Sequence, residues 1–467
     1  MKYVSTRGNA PVLGFGDVLL TGLADDGGLY LPESWPALPP LDVLRGASYA
    51  EIALAVMWPF VEGEIPREDF ERIVNDSYAT FDSPEVCPVV PLGSTDVGAE
   101  IWLLELFRGP TLAFKDVALQ LVGRLFDHVL AERDERVCIL GATSGDTGSA
   151  AIEAVRDSDH VDIFVLFPDG RVSDVQRRQM TTVQAENVHA IAVDGTFDDC
   201  QDLVKAAFAD VQFRHEVRLS AVNSINWARV MAQIVYYVTA HLQVAPDGGP
   251  VTFCVPTGNF GNILAGWAAK QMGLPVDRLV VASNRNDILT RFFTTGTMEI
   301  LGVVPTSSPS MDIQVSSNLE RLLFETLDRD GAAVAELMSR FRSDGTVSVE
   351  VDVLTRLRGE FDAASVDDES AAAVIRSVHE RTAMLLDPHT AIAIGVAEQL
   401  DGDPSVPVVA LATAHPAKFP DAVEAAVGIR PPLPEHLADL FDRKERIEHS
   451  ANDLAAVESL VRGELRR

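Results

Sequence analysis

The chain has 467 residues, 47% of them hydrophobic and 23% charged, enough for two or three domains with ample buried core. Its formal charge of −31 argues against nucleic acid and anionic membranes as partners, because like charges repel at long range. It also means that any anionic substrate must be met by cations gathered locally.

Cys87, Cys138, Cys200 and Cys254 lie far apart and form no C-x-x-C pair. Neither a disulfide framework nor a zinc site is expected, and a reducing cytosol fits. The first residues lack a basic-then-apolar leader pattern, and no apolar run reaches the roughly 18 residues of a membrane span. The expectation is a soluble cytoplasmic protein.

Residues 1–95 alternate short helical patterns with proline-rich turns and read as an N-terminal α+β domain. Helical spacing covers Glu51–Phe60 and Arg67–Tyr78, and Asp25–Pro32 reads as a turn into a short strand. Residues 96–432 repeat strand, turn and helix, the pattern of parallel sheets covered by helices on both faces. Three units there share one design. Arg136–Leu140 ends in Gly141–Gly148 and a helix over Ser149–Val155. Val251–Val255 ends in Pro256–Gly261 and a helix over Asn262–Met272. Val408–Ala412 ends in Thr413–Pro420 and a helix over Asp421–Val427. Each places small or hydroxyl residues at the carboxyl end of a strand, where open parallel sheets bind ligands. Asn284–Ser317 is turn-rich and reads as an insertion at the active site. Asp328–Asp368 is acidic with helical spacing and reads as solvated surface, and 433–467 reads as a tail of polar helices.

The stretch Gly109–Asp116 opens a helix predicted over Asp116–Arg133, whose apolar face is Ala118, Leu121, Val122, Leu125, Phe126 and Val129. Lys115 stands where that helix begins. The positive end of the helix dipole disfavours a cation there, and an apolar site lowers an amine pKa and sharpens it as a nucleophile. A surface lysine at a helix start is the competing reading. Gly258-Asn-Phe-Gly-Asn262 suits an anion, since glycines let amides turn inward at a helix N-terminus, although a tight structural turn accounts for it equally well. Neither glycine loop spells a nucleotide P-loop or G-x-G-x-x-G. Thr143, Ser144, Asp146 and Thr147 offer more capping groups than one helix needs, so a clamp for a small carboxylate is the preferred reading. His389 and His415 read as hydrogen-bonded structural histidines. An amine, an anion cradle, a hydroxyl-rich loop and the neutral Thr413 hydroxyl in one crevice suit pyridoxal phosphate.

These stretches also carry a resemblance. Glu105–Asp116, Thr143–Gly148, Pro256–Asn262 and Leu411–Phe419, with Tyr3–Gly8 and Asp26–Pro32 near the start, resemble the motifs of the threonine synthase family, in the family's order and over nearly the whole chain. The resemblance implies the tryptophan-synthase-β-like (fold type II) α/β fold with an added N-terminal domain. It implies conversion of O-phospho-L-homoserine and water to L-threonine and phosphate. Lys115 would be the Schiff-base lysine and proton shuttle. Gly258, Asn259, Phe260, Gly261 and Asn262 would bind the cofactor phosphate, and Thr413 the pyridine nitrogen, with Thr143, Ser144, Asp146 and Thr147 near the substrate carboxylate. One departure is Arg108, where the family commonly carries histidine. For the substrate phosphate, Arg291 is the favoured cation, ahead of Arg285 and Lys418. A threonine or serine dehydratase of the same fold is the nearest alternative; a catalytically silent, cofactor-binding metabolite sensor is the alternative from another class. The assembly is expected to be a monomer or homodimer.

Overall fold

The strand–turn–helix units sort into two separate sheets whose strand ends converge on one cleft. The computed structural model describes residues 1–466. The first sheet has six strands in the order Phe361–Ser365, Val276–Ser283, Val251–Pro256, Val408–Ala412, Glu100–Glu105 and Val89–Ser94. All neighbours are parallel except the last pair. The second has five parallel strands in the order Glu448–Ser450, Val188–Val193, Val161–Pro168, Val137–Ala142 and Leu219–Ser220. The central strands are buried on both faces, which is why they read as unbroken apolar runs.

Helix Lys115–Arg133 buries the six predicted apolar positions and ends at Asp134, which takes φ 50° in the left-handed region. Helix Trp227–Val244 is buried on every side from Trp227 to His241, as expected of a helix through the centre of a domain. The N-terminal stretch packs on it: the rings of Tyr3, Trp35 and Phe60 lie 6.3, 5.8 and 5.7 Å from that of Trp227. Arg7 ties the same stretch to Glu320 at 2.9 Å. Among the described residues no helix is long and apolar enough to cross a membrane.

Three segments differ from the sequence expectation. Asp328–Asp368 contains Phe361–Ser365, the edge strand of the first sheet, alongside its surface helices. The tail contains Glu448–Ser450, the edge of the second. Val89–Ser94, inside the stretch read as N-terminal, belongs to the six-stranded sheet. All three are edge strands, half exposed, so their composition resembles solvated surface.

Candidate active site

Lys115 is the first residue of its helix, presented by a turn locked from behind. Asp116 accepts hydrogen bonds from the Thr111 amide (2.8 Å) and hydroxyl (2.6 Å), and Leu112 takes φ 65° within the turn. The Phe114 amide donates to the Thr413 carbonyl at 2.9 Å and the His415 amide to the Leu112 carbonyl at 3.0 Å. The lysine turn and the end of strand Val408–Ala412 are thereby stitched together. Burial pushes the Asp116 carboxyl up to about 6, against the pull of Thr111 and of the Lys418 charge.

Lys115 Nζ lies 3.2 Å from Asp146 Oδ2 and 4.8 Å from the centre of the Phe114 ring. Burial lowers the pKa of this amine; Asp146 opposes the shift, and the cations of Lys418 and Arg229 add to it. The other Asp146 oxygen lies 3.1 Å from Lys418 Nζ and accepts from Gln176 Nε2 at 2.9 Å. Burial alone would raise the Asp146 carboxyl, but the two lysines hold it well below the usual carboxylate range. Lys418 is fully buried and also donates to the Thr111 carbonyl (2.6 Å) and Gln179 Oε1 (3.0 Å).

The Gly258–Asn262 loop lines the same cleft. Phe260 takes φ 62°, a left-handed conformation that costs a non-glycine residue of order 1–3 kcal/mol and is characteristic of functional loops. A Cβ on Gly258 would stand 3.1 Å from the Ser310 carbonyl oxygen and 3.3 Å from Met311 Cα, tight enough that this backbone would have to give by a few tenths of an ångström. Ser316 Oγ donates to the Gly258 carbonyl (2.7 Å) and Asn318 Nδ2 to the Asn259 carbonyl (3.1 Å), so the loop's oxygens are tied back. The first amides of helix Gly261–Gln271 have no acceptor within the helix and are available to an anion.

Three family models match consecutive parts of the chain: "Threonine synthase N terminus" over residues 2–78, "Pyridoxal-phosphate dependent enzyme" over 84–340 and "Threonine synthase, C-terminal" over 390–461. The threonine synthase of Pseudomonas aeruginosa is 54% identical over 464 residues, covering 99% of this chain and 98% of that one. The chain belongs to the threonine synthase family. The PLP-bound threonine synthase structure from Brucella melitensis is 55% identical with a TM-score of 0.96, each chain fully covered. The yeast threonine synthase structure is 39% identical with a TM-score of 0.94, covering 99% of this chain and 98% of that one. Members of the threonine synthase family are pyridoxal-phosphate-dependent lyases of threonine biosynthesis, and the fold here is theirs. The residues present fit that cofactor: a buried amine of lowered pKa, a glycine-containing helix N-terminus and Thr413 line one cleft.

Lys115, Asp146, Thr147, Thr413 and all of Gly258–Asn262 line one cleft. Thr143 is buried and lies outside the cleft lining. Its Oγ1 accepts from the Gly145 and Gly148 amides, both at 2.9 Å, and caps the helix, which therefore starts at Asp146 and not at Ser149. Asp146 is itself an anion, paired with two lysines. Ser144 is half-buried beside them and outside the cleft lining.

Arg291, expected to meet the substrate phosphate, is engaged by local partners. Its Nε donates to Asp287 Oδ1 and its Nη2 to the Glu299 carbonyl, both at 2.9 Å, and it is absent from the cleft lining. Asp287 precedes it by one helical turn, a spacing that supplies a local ion pair. Arg285 is exposed, and Arg108 is held by Glu105 at 2.5–2.8 Å. Arg229, Gln233, Ser310 and His389, by contrast, line the cleft. His389 is hydrogen-bonded as expected, with Nδ1 2.7 Å from Asp387 and Nε2 accepting from the Ser310 amide at 3.3 Å. The signal for Arg229 was a lone charge in an otherwise apolar helical run.

Proposed function

We propose that this protein converts O-phospho-L-homoserine and water to L-threonine and phosphate, with pyridoxal phosphate held by Lys115, the Gly258–Asn262 loop and Thr413. The observation that carries the reading is the buried Lys115 amine, 3.2 Å from the Asp146 carboxylate and facing the anion loop. When bound, pyridoxal phosphate supplies the electron sink that acidifies carbons near the substrate amino group.

The chain's own residues supply the rest. Losing phosphate from the γ carbon and placing a hydroxyl on the β carbon requires protons to be moved along one carbon chain. Lys115 is the one lysine lining the cleft among the described residues. Its pKa is lowered by burial, which eases release of a proton from this amine. Asp146 steadies the protonated form through a charge-assisted hydrogen bond, and Lys418 and Gln176 hold Asp146 in place. The Thr413 hydroxyl supports the ring nitrogen without a full negative charge, which limits charge development there. The burial of Lys115, Asp146 and Asn262 excludes bulk water from the reacting groups. A cytoplasmic location belongs to the same proposal: all four cysteines are free, buried thiols, the state a reducing compartment preserves.

The test is turnover of O-phospho-L-homoserine against L-serine and L-threonine, following phosphate and amino-acid products together. Equal yields of phosphate and L-threonine are expected. Phosphate release without threonine, or faster turnover of serine, would reject the proposal.

A further inference from the structure

Helix Trp227–Val244 carries a polar stripe through an apolar interior. Arg229, Gln233 and Tyr236–Tyr237 recur at i, i+4 and i+7 to i+8, so they share one face. Arg229 is 4% exposed, yet its Nε and Nη1 have no hydrogen-bond partner, and it forms no ion pair among the described residues. Gln233, 3% exposed, has an unpartnered Oε1. The Tyr236 and Tyr237 hydroxyls donate to Asn262 Oδ1 at 2.6 and 2.9 Å. Both phenols are fully buried, and burial raises their pKa well above the ordinary value, so they stay protonated and keep donating. This fixes the Asn262 carboxamide with Nδ2 directed away from the tyrosines, and Nδ2 is likewise buried without a partner.

Arg229, Gln233 and Asn262 all line the cleft beside Gly258–Gly261. A buried guanidinium with idle donors is costly, as is a buried amide N–H without an acceptor. Three such donor atoms, beside a helix N-terminus and with the Asp146 carboxylate already shared by two lysines, call for an added acceptor with full negative charge.

We propose that Arg229 and Asn262 Nδ2, with the Gly258–Asn262 loop, bind a phosphate monoester dianion in the cleft. This rests on the reading given under Proposed function, which puts two such groups in the cleft: the cofactor phosphate and that of the substrate or product. Both present the same oxygens, and guanidinium meets them through paired, charge-assisted donors.

The experiment compares wild-type protein with Arg229→Met and Arg229→Lys in two titrations that require no turnover. In the first, cofactor-stripped protein is titrated with pyridoxal 5'-phosphate and, separately, with pyridoxal, which lacks the phosphate. In the second, cofactor-loaded protein is titrated with inorganic phosphate. If the dianion is the cofactor's, Arg229→Met weakens pyridoxal 5'-phosphate binding at least about tenfold and leaves pyridoxal unchanged. If it is the substrate's or product's, the cofactor titration is unchanged and inorganic phosphate binding weakens by a similar factor. Arg229→Lys, which keeps a cation in the same space, is expected to lose less in whichever titration responds, and it serves if the methionine variant does not fold. An unchanged ratio of pyridoxal 5'-phosphate to pyridoxal affinity, together with unchanged inorganic phosphate binding, would overturn the proposal. Failure of the proposed reaction would instead show as a wild-type protein that does not turn over O-phospho-L-homoserine, leaving both titrations readable.

Discussion

Lys418 Nζ lies 3.1 Å from Asp146 Oδ1, with the lysine fully buried and the aspartate 3% exposed. Together with Lys115 at 3.2 Å on the other oxygen, this makes Asp146 a single carboxylate serving two buried amines. Removing one partner of a buried ion pair typically costs about 3–5 kcal/mol, because the charge left behind has no water to solvate it. Asp146→Asn is therefore expected to lower stability by about that amount in urea unfolding. Lys418→Met combined with it should restore part of the loss, since the stranded cation is gone. Strictly additive losses in the double variant would show that the two residues are not coupled.

Lys115→Ala should abolish threonine formation while the loops still retain pyridoxal phosphate non-covalently. In the wild-type protein, borohydride reduction followed by peptide mapping should place the cofactor on Lys115. Finding it on Lys418 would reassign the roles of the two lysines.

Thr413 offers the cofactor ring a neutral hydroxyl. An aspartate there would favour a protonated ring nitrogen and a stronger electron sink. The prediction for Thr413→Asp is a shift of product partitioning from threonine towards transamination-like side products, read by amino-acid and keto-acid analysis. Unchanged partitioning would count against a ring contact.

Arg291 is predicted to be dispensable. Its guanidinium is engaged by Asp287 and the Glu299 carbonyl, a partly exposed pair whose loss costs roughly 0–1 kcal/mol. Arg291→Ala should keep kcat/KM within about twofold of wild type, less than the ~1.4 kcal/mol of a tenfold effect. A tenfold fall at fixed ionic strength would return Arg291 to the site.

His415 gives a pH prediction. Burial, reinforced by the Arg108 charge, lowers its pKa to about 4, while an unfolded histidine titrates near 6.5. The folded state thus binds the proton less readily, so this contribution to stability is present above about pH 6.5 and is lost as pH falls towards 4. Between pH 7 and 5 the loss amounts to about 2 kcal/mol. His415 Nδ1 accepts from the Ala417 amide at 3.1 Å, a role a glutamine oxygen can partly fill. In His415→Gln, chemical unfolding at the two pH values should show this part of the pH dependence gone; an unchanged slope would assign it to other groups.

Local chemistry was enough to read the repeated strand–turn–helix units and the loops at their ends, because small residues after an apolar run and before a helical one have few other uses. Helix Arg67–Tyr78 and strand Val408–Ala412 have the predicted bounds, and Lys115, Gly258–Asn262 and Thr413 meet in one cleft. What sequence spacing could not decide was which groups the fold would satisfy. Thr143 and Arg291 read as ligand contacts, but each has a partner within five residues and lies outside the cleft lining. Arg229 is a lone charge in an apolar helical run, and Lys418 lies 303 positions beyond Lys115; only the packing of the two sheets sets Lys418 against Asp146 and Arg229 in the cleft with the loop. Burial is a property of the assembled chain. It alone decides whether a cation is solvated surface or an unpaired donor facing a cleft.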